Sequence, residues 1–414
     1  MRLLCLSNGH GEDAIACRIL EPLQASPALK ELVALPLVGT GQAYESAHIP
    51  IIGSTKAMPS GGFVYMDGTQ LVRDVRGGLV QLTRAQLRTV REWSQSGGSI
   101  LAVGDIVPLL FAWWSGAPYG FVGTAKSEYY LRDESGWLAR RSWFERLESW
   151  SGAVYLPWER WLMRHHRCRA VFPRDRLTAT YLQKWNIPVY DLGNPMMDGF
   201  AADLPAPDWQ KLPLTVALLP GSRAPEAFEN WLLILQAVQA LVTDWDTPLE
   251  FVGAIAPSLP LDPLIAALQH HPWQSDAAEA GTSWRQGNKT LRLTQTEFVS
   301  TLERAHWAIA LAGTATEQAV GLGKPVLTIP GKGPQFTPAF AEAQTRLLGE
   351  SVILCDRPED VVGVVRSLQQ QPEWRQHIAE NGRRRMGAPG AAERIAQSLV
   401  ERLAVPSAPP GIEN

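Results

Sequence analysis

Residues 1–24 read MRLLCLSNGHGEDAIACRILEPLQ. The apolar run 2–7 ends in a glycine-rich turn, Ser7-Asn8-Gly9-His10-Gly11-Glu12-Asp13, and a helical pattern over 13–24 follows at once. A strand that feeds a helix in this way is the opening unit of a parallel sheet wound with helices. The alternation continues, with strands expected at 32–37, 49–53, 100–104, 119–122, 170–172 and 189–192 and helices at 70–94, 106–114 and 176–185. The fold class is therefore α/β.

The stretch 201–213, AADLPAPDWQKLP, has no apolar period and reads as a linker. A second series begins after it, with strands expected at 214–219, 249–252, 290–293, 307–311, 325–329 and 351–354. Helices at 227–243, 263–270, 297–305, 315–322 and 338–348 separate them. The expected organisation is a domain at 1–200, the linker, a second domain at 214–385, a C-terminal helix at 386–405 packing back on the first domain, and a disordered tail at 406–414. At 414 residues the chain exceeds the usual domain of about 100–200 residues.

A formal net charge of -3 disfavours a general nucleic-acid binder, which needs a basic excess to neutralise phosphates. Cys5, Cys17, Cys168 and Cys355 show no metal-ligand spacing, so free thiols in a reducing compartment are expected. The first residues lack the apolar core of an export signal, and a cytoplasmic protein is expected. Residues 100–125 carry only Asp105 as a charge, yet their glycines and prolines divide them into strand, short helix and strand rather than a membrane span.

Candidate chemistry lies at strand ends. The turn of Asn8, Gly9, His10, Gly11 and Glu12 faces helix N–H groups toward a ligand, as anion- or sugar-binding loops do, and it lacks the GxGxxG of a dinucleotide site. Asp105, alone in an apolar stretch, reads as a helix N-cap, a base of raised pKa, or both. In the second half, Leu218-Leu219-Pro220-Gly221-Ser222-Arg223 and Leu311-Ala312-Gly313-Thr314-Ala315-Thr316-Glu317-Gln318 both close a strand and open a helix. Arg suits bidentate phosphate contact, and a helix start offers N–H groups to a diphosphate.

LLPGSR, the GTAT turn with Gly-Lys-Pro at 323–325, the Gly193-Asn194-Pro195 turn with Asp198, and Gly387-Ala388-Pro389-Gly390-Ala391 together resemble lipid-A-disaccharide synthase and its relatives. More distantly the pattern is similar to the glycosyltransferase of peptidoglycan lipid-intermediate synthesis and to monogalactosyldiacylglycerol synthases. The resemblance implies a GT-B architecture, two doubly wound Rossmann-like domains facing across a cleft. It further implies a UDP-sugar held by the C-terminal domain, an acceptor held by the N-terminal one, inversion at the anomeric carbon, and no metal or cofactor. Ser222 and Arg223 then fall in the donor loop, Gly313, Thr314, Ala315 and Thr316 in the diphosphate turn, and Asp105 near the base. From their own positions at strand ends, Gly221, Glu317 and Gln318 are further donor-side candidates, His10 is a second candidate base, and Asn8, Gly9, Gly11, Glu12 and Asn194 are candidates for the acceptor or cleft loop. Three positions depart from the family pattern: SNGHGED replaces a GEASGD-like loop, Asn194 stands in a GHP-like turn, and Gln318 occupies the place of a Glu.

Residues 136–169 hold seven Arg against three Glu, with five of the chain's 16 Trp interleaved. Trp at headgroup depth and Arg on lipid phosphate would suit an anionic membrane surface, and Trp137, Arg140, Arg141, Trp143, Trp158, Arg160, Trp161 and Arg164 are the expected contacts. The function expected is transfer of a hexose or N-acetylhexosamine from a UDP-sugar to a lipid-like acceptor by a peripheral enzyme on the inner face of the cytoplasmic membrane. The alternatives are a UDP-N-acetylglucosamine 2-epimerase-like enzyme and an inert nucleotide-sugar-binding protein.

Overall fold

The computed structural model describes residues 1–56, 79–138, 150–275, 282–331 and 338–403. The chain divides into two compact units, Met1–Asp198 with Gly390–Asn414, and Gly199–Pro389.

In the first unit, β1 (Arg2–Ser7), β2 (Glu31–Pro36), β3 (Ser99–Gly104), β4 (Tyr119–Gly123) and β7 (Cys168–Pro173) form a parallel sheet of order β2-β1-β3-β4-β7. β5 (Arg132–Asp133) and β6 (Gly136–Trp137) pair as a short hairpin. The helices are α1 (His10–Gln24), α2 (Gln42–Ser46), α3 (Leu79–Gln95), α4 (Ile106–Ser115), α5 (Pro157–Arg164) and α6 (Arg176–Gln183). Every residue of β3 and β4 is buried, as expected of a parallel sheet covered on both faces. Leu4, Leu6, Ile100, Ala102, Phe121 and Val171 lie in its core.

Two expected strands shrink to single bridges, Ala34 with Ile51 and Val171 with Val189. Each follows a proline, Pro50 or Pro188, that has no N–H to extend the ladder, and Gly53 then turns the chain away at φ 76°. The expected first helix begins earlier, at His10, and residues 70–78 of the expected 70–94 helix lie outside the described residues.

The second unit contains β8 (Leu214–Leu219), β9 (Leu249–Ala254), β10 (Gln274–Ser275), β11 (Ser283–Gln286), β12 (Lys289–Thr294), β13 (Trp307–Ala310), β14 (Val326–Thr328) and β15 (Val352–Leu354). Their order is β10-β11-β12-β9-β8-β13-β14-β15, parallel except for the antiparallel β10-β11-β12 edge. The helices are α7 (Glu226–Asp244), α8 (Asp262–Leu268), α9 (Phe298–Arg304), α10 (Thr314–Gly321), α11 (Pro338–Leu348), α12 (Val361–Gln370) and α13 (Pro372–Met386). The expected linker, 201–213, belongs to this unit. Trp209 stacks on Trp307 with centroids 5.4 Å apart. Thr215 N–H donates to His306 Nδ1, which leaves Nε2–H to donate to the Asp208 carbonyl at 3.1 Å.

The last helix, α14 (Ala391–Leu403), returns to the first unit and packs on α1. Its start is fixed by Asp198, whose Oδ1 accepts from Gly390 and Ala391 N–H and whose Oδ2 accepts from Ala392 N–H. These are the orphan donors of a helix N-terminus, satisfied by one carboxylate. A Cβ placed at Gly120 of β4 would meet Leu399 Cδ2 at 2.9 Å, so helix and sheet approach closely only because that residue is glycine. Residues 404–414, with the expected disordered tail, lie outside the described set. Asp198→Ala should lower the stability of the first unit by about 1.5–3 kcal/mol, the worth of hydrogen bonds to a charged group. Urea unfolding with an unchanged midpoint would show that these bonds do not hold the helix.

Candidate active site

The strand orders locate the site. In the first unit the chain passes from β1 to β2 on one side and then to β3 on the other, so the loops after β1 and β3 diverge. In the second unit the same reversal occurs between β8 and β13. In open α/β sheets such switch points, at the carboxyl ends of the strands, are where ligands bind. The residues singled out from sequence sit at both.

In the first unit, Gly9 leaves β1 at φ 133°, ψ -177°, and Gly104 leaves β3 at φ 135°, conformations suited to glycine alone. Tyr44 Oη donates to Ser7 Oγ, which donates to Asp13 Oδ1, each at 2.5 Å, and this buried chain fixes the start of α1. Asn8 is buried, and its Oδ1 has no partner among the described residues. Asp105 is the N-cap of α4: its Oδ1 accepts the Val107 N–H at 2.8 Å. Glu12 lies beside it, since a Cβ placed at Gly104 would meet Glu12 Cγ at 3.4 Å. Thr124, just past β4, donates its hydroxyl to Glu12 Oε1 at 3.4 Å. Lys126 pairs with the buried Glu159 of α5 at 2.5 Å.

Burial pushes the Glu12 carboxyl up to about 7, and the neighbouring charges of Asp105 and Asp13 act in the same direction. Asp105 is raised too, by burial first and then by Glu159, while the Val107 N–H and Lys126 oppose the shift. Glu12, placed by the sequence among acceptor-side residues, is thus as much a titratable group of the site as Asp105. His10 opens α1, and its side chain lies outside the described residues. Gly11 is exposed, and a Cβ there would meet nothing within 4 Å.

Asn194 is not an open acceptor-loop residue. Its Oδ1 accepts the Met196 N–H at 3.0 Å, it is buried, and its Nδ2 has no partner among the described residues. It lines a small cavity with Thr124, Pro173, Arg174, Gly193 and Met196.

In the second unit, one side chain ties the two divergent loops together. Asn230, from the buried face of α7, donates through Nδ2 to the Pro220 carbonyl at 3.0 Å and to the Leu311 carbonyl at 3.1 Å. Gly221, at φ 102°, lets its loop pass the Leu311 carbonyl. Ser222 is exposed, Arg223 is half-buried, and Ser258 Oγ donates to the Ser222 carbonyl at 3.3 Å. Gly313 and Thr314 are exposed at the start of α10, which has no side-chain cap, and a Cβ at Gly313 would meet nothing within 4 Å. The first N–H groups of α10 are thereby presented with their dipole outward.

The rest of that motif is turned inward. Thr316 is buried, with its Oγ1 donating to the Ala312 carbonyl at 2.7 Å, and Gln318 is buried as well, so neither stands in the open loop. Ala315 and Glu317 are half-buried. Asn230 was missed from sequence. Its signal is a polar residue at an inward position among Ala227, Trp231 and Ile234, which must find partners or cost free energy. Among the described residues no cluster of His, Cys, Asp and Glu is arranged to hold a metal ion.

No protein-family model and no curated protein sequence matches the chain. Solved structures do. A UGT transferase from Siraitia grosvenorii in complex with UDP is 13% identical over 98% of this chain and 100% of its own, with a TM-score of 0.55. MurG of Acinetobacter baumannii is 14% identical over 97% and 99%, TM-score 0.54. The UDP-GlcNAc 2-epimerase of Neisseria meningitidis bound to UDP-GlcNAc is 14% identical over 97% and 100%, TM-score 0.52. At such identities the likeness is one of fold, and the fold is of the GT-B type, with two Rossmann-like units.

The Glu12 shift predicts a pH-dependent stability. With its pKa raised from 4.5 to about 7, the folded chain keeps a proton that the unfolded chain has released. Stability from this group is complete below the unfolded value and is lost as pH rises toward 7. Glu12→Gln should therefore gain stability relative to wild type between about pH 5 and pH 8, by an order of 1–3 kcal/mol. An equal difference at both pH values in urea unfolding would mean that Glu12 ionises as freely folded as unfolded.

Proposed function

We propose that the protein is a UDP-sugar-dependent glycosyltransferase that works on a lipid-like acceptor at an anionic membrane surface. The observation that carries the donor half is the pair of loops at the second unit's switch point, tied by Asn230 and ending in the open start of α10. Arg223 and the Gly313 and Thr314 N–H groups would meet the diphosphate and offset the charge that grows on it as the sugar leaves. Single displacement by an acceptor hydroxyl inverts the anomeric carbon, and the proposal includes no metal or cofactor. Arg223→Ala should weaken UDP binding by about 1.5–3 kcal/mol. Calorimetry that shows wild-type affinity in this variant would remove Arg223 from the donor site.

The membrane half rests on α4 and α5. Trp114 is 52% exposed, Trp158 52% and Trp161 55%, with Leu110 and Arg164 also at the surface. Trp113 packs edge-on against both Trp114 and Trp161, at 6.4 and 5.4 Å, and so joins these two exposed rings into one aromatic group. Such large apolar rings on one face mark an interaction surface. The basic side of the expectation changes, because Arg160 is buried: its Nη2 donates to the Ser151 carbonyl at 3.1 Å and its guanidinium lies 3.8 Å over Trp185. Trp137 is exposed but stacks on the Arg132 guanidinium at 3.7 Å. Arg140, Arg141 and Trp143 lie outside the described residues. Among the described residues no helix is long and apolar enough to cross a membrane.

The fold is shared with UDP-GlcNAc 2-epimerases as well as with glycosyltransferases. The exposed Trp group favours transfer, since epimerisation of a soluble sugar nucleotide needs no lipid surface. Wild-type protein should sediment with vesicles of anionic lipid at low salt, and less as salt screens the charges. A variant with Trp114, Trp158 and Trp161 changed to Ser should remain in the supernatant. Equal sedimentation of the two would place the membrane contact elsewhere.

A further inference from the structure

We propose that Glu12, rather than Asp105, is the base that takes the proton from the attacking hydroxyl, with Thr124 orienting its carboxylate and Asp105 acting on it as a neighbouring charge. This deepens the transfer reading above and rests on it. Three acidic side chains meet at the switch point of the first unit, and geometry separates their tasks. Asp13 is buried and accepts the Ser7 hydroxyl, so it serves the interior. Asp105 spends Oδ1 on the Val107 N–H and holds the start of α4. Glu12 is half-buried, and among the described residues the one side-chain partner on its carboxylate, besides a backbone N–H, is a Thr124 hydroxyl at 3.4 Å, long enough for an incoming hydroxyl to compete.

Among the described residues, the charges that shift Glu12 are of one sign. Asp13 faces it from α1 and Asp105 from the end of β3, while the Lys126 that follows β4 is already paired with Glu159 of α5. Arg174, from beyond β7, donates to the Thr124 carbonyl at 2.9 Å. A backbone N–H favours the charge on each carboxylate, but at Glu12 burial and the charges of Asp105 and Asp13 outweigh it, so Glu12 holds its proton toward neutral pH. The shift of Glu12 to about 7 agrees with that assignment, and a base of that strength suits proton abstraction near neutral pH.

In the step, the acceptor O–H proton passes to the Glu12 carboxylate, and the hydroxyl oxygen's electron pair forms the bond to the anomeric carbon. The bond from that carbon to the β-phosphate oxygen breaks, its pair stays on the phosphate, and UDP leaves with the added charge. Water then recovers the proton from Glu12.

The test measures UDP release from UDP-glucose, UDP-galactose and UDP-N-acetylglucosamine, with diacylglycerol in mixed micelles as acceptor and with water alone, from about pH 5.5 to 8.5. Wild-type kcat/KM should rise with pH and level off above about 7, as Glu12 loses its proton. Glu12→Gln should lower kcat by about 10²–10⁴-fold and abolish that limb. Glu12→Asp should restore part of the rate, and UDP binding by calorimetry should be unchanged in both, which separates lost chemistry from lost fold. Asp105→Asn should keep a limb that is displaced to lower pH, because a neighbouring negative charge is gone. A Glu12→Gln variant with the wild-type rate and limb overturns the role of Glu12 while leaving transfer in place. Loss of the limb in Asp105→Asn with its retention in Glu12→Gln assigns the base to Asp105 instead. Wild-type protein that binds UDP but releases none from any donor overturns the transfer reading, and the base with it.

Discussion

Parallel strands cannot be joined by a tight turn, so each connection must carry the chain back along the strand, and here helices do so. That constraint brings every strand's carboxyl end to one edge and every helix start beside it. Where the chain reverses its direction of winding, two neighbouring loops separate and leave a gap that the sheet itself cannot fill. Both units are built on this constraint, with the gap at β1 and β3 in one and at β8 and β13 in the other. Gly9, Gly104 and Gly221 follow from it, because a strand that must end abruptly beside a helix start needs backbone angles that other residues rarely adopt.

The buried acids of the first unit differ from Glu12 in the partners that replace their lost water. Glu128 meets Arg132 at 2.8 Å, and Glu159 meets Lys126 at 2.5 Å. Asp175 is the N-cap of α6, with the Thr178 N–H at 2.8 Å. Each has a cation or a backbone donor to replace lost water. Glu12 has a backbone N–H and a distant hydroxyl but also two carboxylates as neighbours, an arrangement that costs stability unless the group carries a proton.

Much of this was legible in the sequence, because apolar runs bounded by glycine report buried parallel strands directly. The strands expected at 2–7 and 214–219 are found at those residues, and the one expected at 249–252 runs on to Ala254. Local chemistry was legible as well, as with Asp105, whose position before an apolar helix already suggested the cap it forms. Partnerships across long separations were not. Nothing near residue 230 in the chain reveals that Asn230 spans two loops ending near residues 220 and 311. The β10-β11 hairpin was missed because residues 274–286 are polar and short, with no alternation to mark them.

α5 shows most plainly why composition alone misleads. Its eight residues, PWERWLMR, contain two Trp and three charges, and the ordinary expectation would turn the rings inward and the charges out. The structure does the reverse for much of the helix: Glu159 and Arg160 are buried with Leu162 and Met163, while Trp158 and Trp161 face outward. The inversion is possible because Lys126 and the Ser151 carbonyl, both distant from the helix in sequence or in a preceding loop, satisfy the buried charges. Glu159 also accepts the Leu156 N–H at 2.8 Å, so one carboxylate holds the helix start and the lysine that follows β4. The helix that exposes the Trp rings is therefore anchored by a residue whose charge acts on Asp105.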